Sequence, residues 1–331
     1  MIRIAINGFG RIGRLTLRRL LLDSNVRVVA VNDLTDNRTL AHLFKYDSSQ
    51  GVYPESVRAD DNNIYIGDVG IMALSERDPA KLPWAEHEID LVLECTGVFR
   101  TREKALLHVK AGAKRVLLSA PAKSSDVTTL VKGVNHLEAD SNEVVFSNAS
   151  CTTNCLAPIV KVVDEAFGLL EGHMTTVHGY TADQRLQDAP HRDLRRARAA
   201  AVNIVPTTTG AAQATSLVYP AAKGKIEAMA IRVPVITGSL IDLNCNLYEA
   251  PTIEELRAVI KEAAEGPLKG IVEYCTDPVV SSDIVGNPHS SIFDSSLAKM
   301  HGHFAHIISW YDNEAGYSAR LAEMAAYIGS L

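Results

Sequence analysis

The stretch Ile2-Arg3-Ile4-Ala5-Ile6-Asn7-Gly8-Phe9-Gly10-Arg11-Ile12-Gly13 decides how the rest of the chain is read. Residues 2–7 form a short apolar run suited to a buried strand, and residues 11–22 carry a helical period. Between them stands a G-x-G-x-x-G pattern. On its own that pattern is weak. Here it follows a strand, opens a helix, and has Asp33 twenty residues beyond Gly13, after a second strand over residues 26–32. In that setting Gly8 permits a tight turn, Gly10 lets the backbone approach a pyrophosphate, and Gly13 lets the helix pack on the strand. The N–H groups at the helix start, on Arg11 and Ile12, face the phosphates. Asp33 accepts hydrogen bonds from ribose hydroxyls and repels a 2′-phosphate, so the expected cofactor is NAD rather than NADP.

Reading outward, further apolar strands are expected at residues 91–94, 115–119 and 144–147, with a helix at 102–111. Uniformly apolar strands alternating with helices predict an α/β fold, a Rossmann-type doubly wound parallel sheet covered on both faces. The short alternating pattern of residues 55–74 reads as hairpins inserted in that scheme. Beyond residue 150 the pattern changes. A helix at 151–167 precedes strands at 172–178, 226–232, 239–248 and 303–311, which predicts an α+β catalytic domain on a mostly antiparallel sheet. Residues 180–205 are Arg-rich without a clean period, and a long irregular segment in a compact domain is usually functional or interfacial. The expected division is a nucleotide-binding domain at 1–149 and a catalytic domain at 150–315, with a last helix, patterned over 316–328, that returns with residues 316–331 to the first domain.

The chain has 331 residues, 47% of them hydrophobic, a length that suits two cores rather than one. Its 33 Lys and Arg against 39 Asp and Glu leave a formal net charge of −6. A weakly acidic chain has no global electrostatic pull toward nucleic acid or a membrane surface, and no dedicated nucleic-acid site is evident. The first residues lack the pattern of a signal peptide, and no apolar run approaches the roughly 20 residues that span a bilayer. Five cysteines, Cys95, Cys151, Cys155, Cys245 and Cys275, are too few and odd in number for a disulfide framework, so a reducing, cytoplasmic setting is expected. Cys and His do not cluster at zinc-ligand spacing, and no metal is implied.

Chemistry is expected at two element ends. Cys151 opens the helix at 151–167, where the helix dipole and free N–H groups stabilise a thiolate. A free cysteine is by itself more often a small core residue. His178 ends the strand at 172–178, and a histidine so placed is by itself more often structural. Together they form a nucleophile and the base that lowers its pKa and takes its proton. Cys155 lies one turn deeper in the helix and reads as structural.

At this point the chain resembles a known family. The segments AINGFGRIGR (5–14), SNASCTTNCLAP (147–158), TTVH (175–178), DLRRARAAA (193–201), PTTTGAA (206–212), RVP (232–234), NPHSS (287–291) and WYDNE (310–314) are similar to those of the phosphorylating, NAD-linked glyceraldehyde-3-phosphate dehydrogenases. The resemblance runs from Ile4 to about Tyr327. It implies that Cys151 is the nucleophile and His178 its base. It implies NAD contacts at Arg11, Ile12, Asp33, Arg77 and Ser119, with Asn313 orienting the nicotinamide amide. Thr181 and Arg232 are implied at the site of the substrate phosphate. Ser150, Thr152, Thr209 and Gly210 are implied at the site of attacking inorganic phosphate, with Arg196 between the two. Arg195 and Arg198 read better as a solvated or intersubunit basic stretch.

The resemblance further implies a homotetramer and a reaction that turns glyceraldehyde 3-phosphate, phosphate and NAD into 1,3-bisphosphoglycerate and NADH through a thioester. Leu34 and Pro190 resemble the NAD-preferring branch. The chain departs from many relatives at Gly179, Ala182 and Ala315, none of which removes a catalytic group. Two other readings stand beside this one. One is a water-using erythrose-4-phosphate dehydrogenase, disfavoured by Thr181 and Thr209-Gly210. The other is an NAD-binding protein whose main role is to bind nucleic acid or another protein, disfavoured by the presence of both Cys151 and His178.

Overall fold

The structure, a computed structural model, describes residues 1–331 and falls into two compact units. The first comprises Met1–Leu130, Leu137–Ala149 and Ser318–Leu331; the second comprises Val131–His136 and Ser150–Tyr317.

The first unit is built on a nine-stranded sheet. Ile2–Asn7 lies at its centre, paired in parallel with Val26–Asn32 on one side and Leu91–Glu94 on the other. Ile4, Ala5, Ile6, Leu91, Val92 and Leu93 have no exposed surface, as strands covered on both faces require. Beyond Leu91–Glu94 come Arg115–Leu118, Val145–Ser147 and Thr128–Thr129, all parallel. Beyond Val26–Asn32 comes Val69–Leu74, also parallel. Apart from the two-residue edge strand Thr128–Thr129, the six parallel strands thus follow the doubly wound order, with its reversal between Ile2–Asn7 and Leu91–Glu94, and a crevice opens there at the carboxyl ends of the strands. The hairpin reading of residues 55–74 holds, and the hairpins extend the main sheet. Val57–Ala59 and Asn63–Ile66 do form an antiparallel hairpin, and Asn63–Ile66 pairs antiparallel with Val69–Leu74, but all three belong to the main sheet. The alternating pattern arises because an antiparallel edge leaves one face to water, which hides its continuity with the buried centre.

The second unit carries an eight-stranded sheet. Across it run Val205–Thr208, Ile226–Val233, Leu169–Gly179, Ser239–Leu247, Phe304–Tyr311, Ser291–Asp294 and Val272–Cys275, with Lys299–His301 paired to Phe304–Tyr311. Two pairings are parallel, Leu169–Gly179 with Ile226–Val233 and Val272–Cys275 with Ser291–Asp294; the others are antiparallel. Ser239–Leu247 alternates strictly between buried and half-buried residues. Its buried face, Ile241, Leu243, Cys245 and Leu247, packs with Cys155, Leu156, Ile159, Val160 and Val163 of the helix Cys151–Phe167 in one apolar core. That burial, at about 25 cal/mol per Å² of apolar surface, holds the helix and so fixes where its first residue lies.

Residues 180–205 are mostly irregular, with one short 3-10 helix at Ala200–Val202. The segment is less basic in effect than in composition, because Asp183 and Asp193 pair with Arg196 and Asp188 pairs with Arg198. No helix is long and apolar enough to cross a membrane.

Candidate active site

In the first unit the glycine loop has the shape the motif requires. Gly8 sits at φ +94°, and a Cβ there would come within 2.6 Å of the Thr96 nitrogen. A Cβ on Gly13 would come within 2.3 Å of the Gly8 oxygen, whereas one on Gly10 would meet nothing. Gly8 and Gly13 are therefore demanded by the protein's own packing, and Gly10 leaves the backbone bare toward the crevice. The N-cap of the helix Arg11–Leu20 is Gly10, which offers no side-chain cap, so the positive end of the helix dipole points out of the glycine turn. The Arg11 side chain turns instead to Asp47 at 2.8 Å and Ser49 at 2.6 Å. Asp33 is oriented by the loop, accepting the Phe9 N–H at 2.8 Å and the Thr35 N–H at 3.0 Å. A cavity of about 370 Å³ is lined by Gly8, Gly10, Asp33, Leu34, Arg77 and Thr96, among others. These features fit a dinucleotide: a bare turn for the pyrophosphate and an anchored carboxylate for a ribose. Ser119 does not line that cavity; its N–H donates to the Glu94 carbonyl at 3.0 Å and its side chain bonds the Cys95 thiol, which burial pushes up to about 12.

In the second unit Cys151 is the first residue of its helix, capped by Ser150, whose hydroxyl accepts the Thr153 N–H at 3.1 Å. The turn into the helix passes through Ala149 at φ +54°, a left-handed conformation that costs a non-glycine residue about 1–2 kcal/mol. Cys151 Sγ lies 3.5 Å from His178 Nε2. His178 Nδ1 lies 2.7 Å from the Gly179 carbonyl oxygen, so Nδ1 carries the proton and Nε2 presents a lone pair to the thiol. Arg232 Nη1 donates to the same carbonyl at 3.2 Å and to Thr181 Oγ1 at 3.2 Å, and stands 3.1 Å from His178 Nδ1. Arg232 has no carboxylate partner and its Nε is buried without a hydrogen bond. A largely enclosed guanidinium with unused donors, beside a threonine hydroxyl, is suited to an anion.

Burial opposes the stabilisation that the helix start gives the thiolate. Burial pushes the Cys151 thiol above its ordinary value, outweighing Arg232 and the N–H groups of Thr152 and Cys151, which pull it down. Burial and then the Arg232 charge hold His178 down at about 3. Burial of the ligand-free pair thus favours the neutral thiol and the neutral imidazole, against the pull of Arg232 and the helix-start N–H groups on the thiol.

The remaining residues fall into two groups. Asn313 is buried, and its Oδ1 accepts from Ser239 at 2.8 Å; Ser239 in turn accepts the Gly179 N–H at 3.1 Å, which ties Asn313 to the His178-Gly179 peptide. The others are engaged elsewhere. Thr152 Oγ1 bonds the Tyr311 hydroxyl at 2.9 Å, and Thr209 Oγ1 accepts the Ala211 N–H at 3.2 Å. Gly210 is exposed at the start of the helix Ala211–Val218. Arg196 pairs with Asp183, contacts Asp193 at 3.3 Å and donates to Thr207 at 2.9 Å. Sequence reasoning missed Ser239, Tyr311 and Ala149. Tyr311 stands edge-on to the His178 ring at 5.9 Å. Its position two residues before Asn313 was a usable signal; Ser239 and the left-handed Ala149 carry none.

Comparison with known proteins agrees with this geometry. Residues 2–102 match the family model of the glyceraldehyde 3-phosphate dehydrogenase NAD binding domain, and residues 150–313 match that of its C-terminal domain. The chain is 52% identical to the glyceraldehyde-3-phosphate dehydrogenase of Mycolicibacterium smegmatis, 53% to that of Mycobacterium tuberculosis and 52% to that of Geobacillus stearothermophilus, in each case over 99% of this chain and 98% of the relative. With both domain models matched in order and full-length identity above half, the chain belongs to the glyceraldehyde-3-phosphate dehydrogenase family.

Proposed function

We propose that the chain oxidises glyceraldehyde 3-phosphate with NAD and inorganic phosphate, giving 1,3-bisphosphoglycerate and NADH through a thioester on Cys151. The observation that carries this reading is the cluster of Cys151 and His178, 3.5 Å apart, with Arg232 and Thr181 beside the imidazole and no carboxylate on Arg232.

The substrate phosphate binds at Arg232 and Thr181. Its negative charge offsets the guanidinium charge that depresses His178, so the base gains proton affinity as the aldehyde arrives. His178 Nε2 takes the thiol proton as Sγ bonds to the aldehyde carbon, and returns it to the resulting alkoxide. Bound NAD supplies the two-electron acceptor. As hydride departs from the substrate carbon, His178 takes the hydroxyl proton and the carbon becomes a thioester carbonyl. The Cys151 N–H at the helix start stabilises the oxyanion. Inorganic phosphate then attacks the carbonyl, the Cys151 sulfur leaves, and an acyl phosphate is released. Gly8, Gly10, Arg11, Ile12, Gly13, Asp33, Arg77 and Ser119 serve the cofactor, and Asn313 its amide. Thr209 and Gly210, with Ser150 and Thr152 acting through the first turn of the helix, receive the attacking phosphate; Arg196 joins them by exchanging Asp183 for that anion.

A cytoplasmic homotetramer is part of the same reading. It is supported by Leu186, Leu194, Val202 and Ile204, four large apolar side chains of one loop that are each at least 70% exposed in the single chain. The testing experiment follows NADH absorbance with glyceraldehyde 3-phosphate and NAD, with and without phosphate. Rapid phosphate-dependent turnover that a Cys151→Ser variant lacks is expected. Turnover indifferent to phosphate would replace this reading with the water-using relative.

A further inference from the structure

Beneath the cavity of the first unit lies a polar chain that the reaction does not use, buried from Trp84 through His108, Glu94 and Asn7 to Asn32. Trp84 Nε1, which can only donate, lies 3.0 Å from His108 Nδ1. His108 Nδ1 is therefore an acceptor, its proton sits on Nε2, and Nε2 donates to Glu94 Oε2 at 3.1 Å. From the other side the Glu76 N–H donates to Asn32 Oδ1 at 2.8 Å. That sets the amide orientations in turn: Asn32 Nδ2 donates to Asn7 Oδ1 at 2.7 Å, and Asn7 Nδ2 donates to Glu94 Oε2 at 2.6 Å. Glu94 Oε1 accepts the Thr96 N–H at 2.8 Å and the Thr96 hydroxyl. His108 has no exposed surface and Glu94 only 2%, and no cation touches the carboxylate. Four donors from three residues hold its charge instead.

We propose that Glu94 and His108 are positioning residues for the dinucleotide, a proton-ordered strut that sets the height of the glycine turn. Asn7, Asn32, Glu76 and Thr96 all line the cavity, and each is bonded to this chain. Phe99 also lines it, and meets the His108 ring edge-on at 6.3 Å. The Cys95-Thr96 backbone lies so close to Gly8 that a Cβ there would not fit. A change in the seat of Glu94 moves Thr96 and with it the wall against which Gly8 turns. The proposal rests on the reading of this cavity as the NAD site.

The order of protons makes the test specific. In Glu94→Gln one carboxylate oxygen becomes an NH2 group, and either orientation sets it against two donors. In His108→Leu the carboxylate loses a donor and Trp84 loses its acceptor. His108→Gln keeps a donor toward Glu94. Calorimetric titration with NAD is expected to show affinity about ten- to a hundredfold weaker for Glu94→Gln and His108→Leu, as befits unsatisfied buried polar groups. His108→Gln is expected to stay within about threefold of the parent. The Cys151 alkylation rate, read on the second unit, stays unchanged. Equal losses in His108→Gln and His108→Leu would mean that ring volume alone matters and would overturn the strut. Unaltered affinity in folded Glu94→Gln or His108→Leu would do the same. If neither folds, Trp84→Phe decides, since without the indole N–H the His108 ring is no longer held with Nε2 toward Glu94 and that donor is loosened; unaltered affinity there overturns the proposal. A parent chain that does not bind NAD would instead remove the reading of the cavity.

Discussion

The proton on His178 is placed by a peptide carbonyl rather than by a carboxylate. Gly179 O accepts from Nδ1 and leaves Nε2 open toward Cys151. Replacing the base by asparagine removes that lone pair, and His178→Asn is expected to lower kcat about 10²- to 10⁴-fold in the NADH assay. The neutral state of the pair has its own consequence. Thiolate is the reacting species, and Cys151 titrates above its ordinary 9.0 while His178 stays unprotonated down to about 3. Iodoacetamide should therefore modify the ligand-free protein at a rate that keeps climbing through the alkaline range, with no acid shoulder. A plateau near neutral pH would show a thiolate-imidazolium pair already present and contradict the assignment. Gly179 is tightly constrained, because a Cβ there would lie 3.0 Å from the Val235 carbonyl oxygen and 3.3 Å from Thr237 Cα. Gly179→Ser should cost about 1–3 kcal/mol in denaturant unfolding, since the crowding atoms are backbone.

At the scale of elements, two turns carry the function. Gly8 holds the strand-to-helix turn of the first unit at a φ that an alanine adopts only under strain, and the Thr96 backbone leaves no room for a methyl group. Gly8→Ala should abolish measurable NAD binding in calorimetry while Cys151 keeps its alkylation rate; retained binding would show that the loop is not seated as described. The turn before Cys151 combines the left-handed Ala149 with the Ser150 cap. Removing the cap in Ser150→Ala should cost about 1 kcal/mol of stability and loosen the helix start that carries the nucleophile. The helices with strong sequence signals formed where expected because caps and apolar faces are local properties. Cys151–Phe167 has both ends as read, whereas Arg11–Leu20 stops two residues short of the expected 22. Residues 55–74 form hairpins as read, but their place at the edge of the main sheet was not legible, because strand pairing is not local. Nothing in an alternating pattern says whether its next neighbour is a hairpin partner or the buried edge of a larger sheet.

For the whole molecule, the two units hold separate cores and separate parts of the chemistry, nucleotide features in one and the thiol cluster in the other. The exposed apolar side chains of the loop holding Leu186, Leu194, Val202 and Ile204 call for cover. Light scattering after size exclusion should report a tetramer at micromolar concentration. A Leu194→Asp, Ile204→Asp double variant should shift it toward smaller species. A monomeric parent would end the tetramer reading and leave those side chains without a role.

The sequence by itself determined the doubly wound class of the first sheet, the glycine turn, the acidic residue that follows it, and the candidacy of Cys151 and His178 as a pair. Each of these is written in residue type and spacing, because periodicity reports burial and a glycine or a carboxylate reports a need the backbone cannot meet otherwise. Only the tertiary structure decided how strongly burial opposes charge on the thiol pair and the engagement of Arg196 by aspartates. The same holds for the bond from Ser239 to Asn313 and the buried line from Trp84 to Glu94. Those depend on which groups distant in the chain exclude water together, and desolvation is a property of the packed surroundings that no single residue carries in its name.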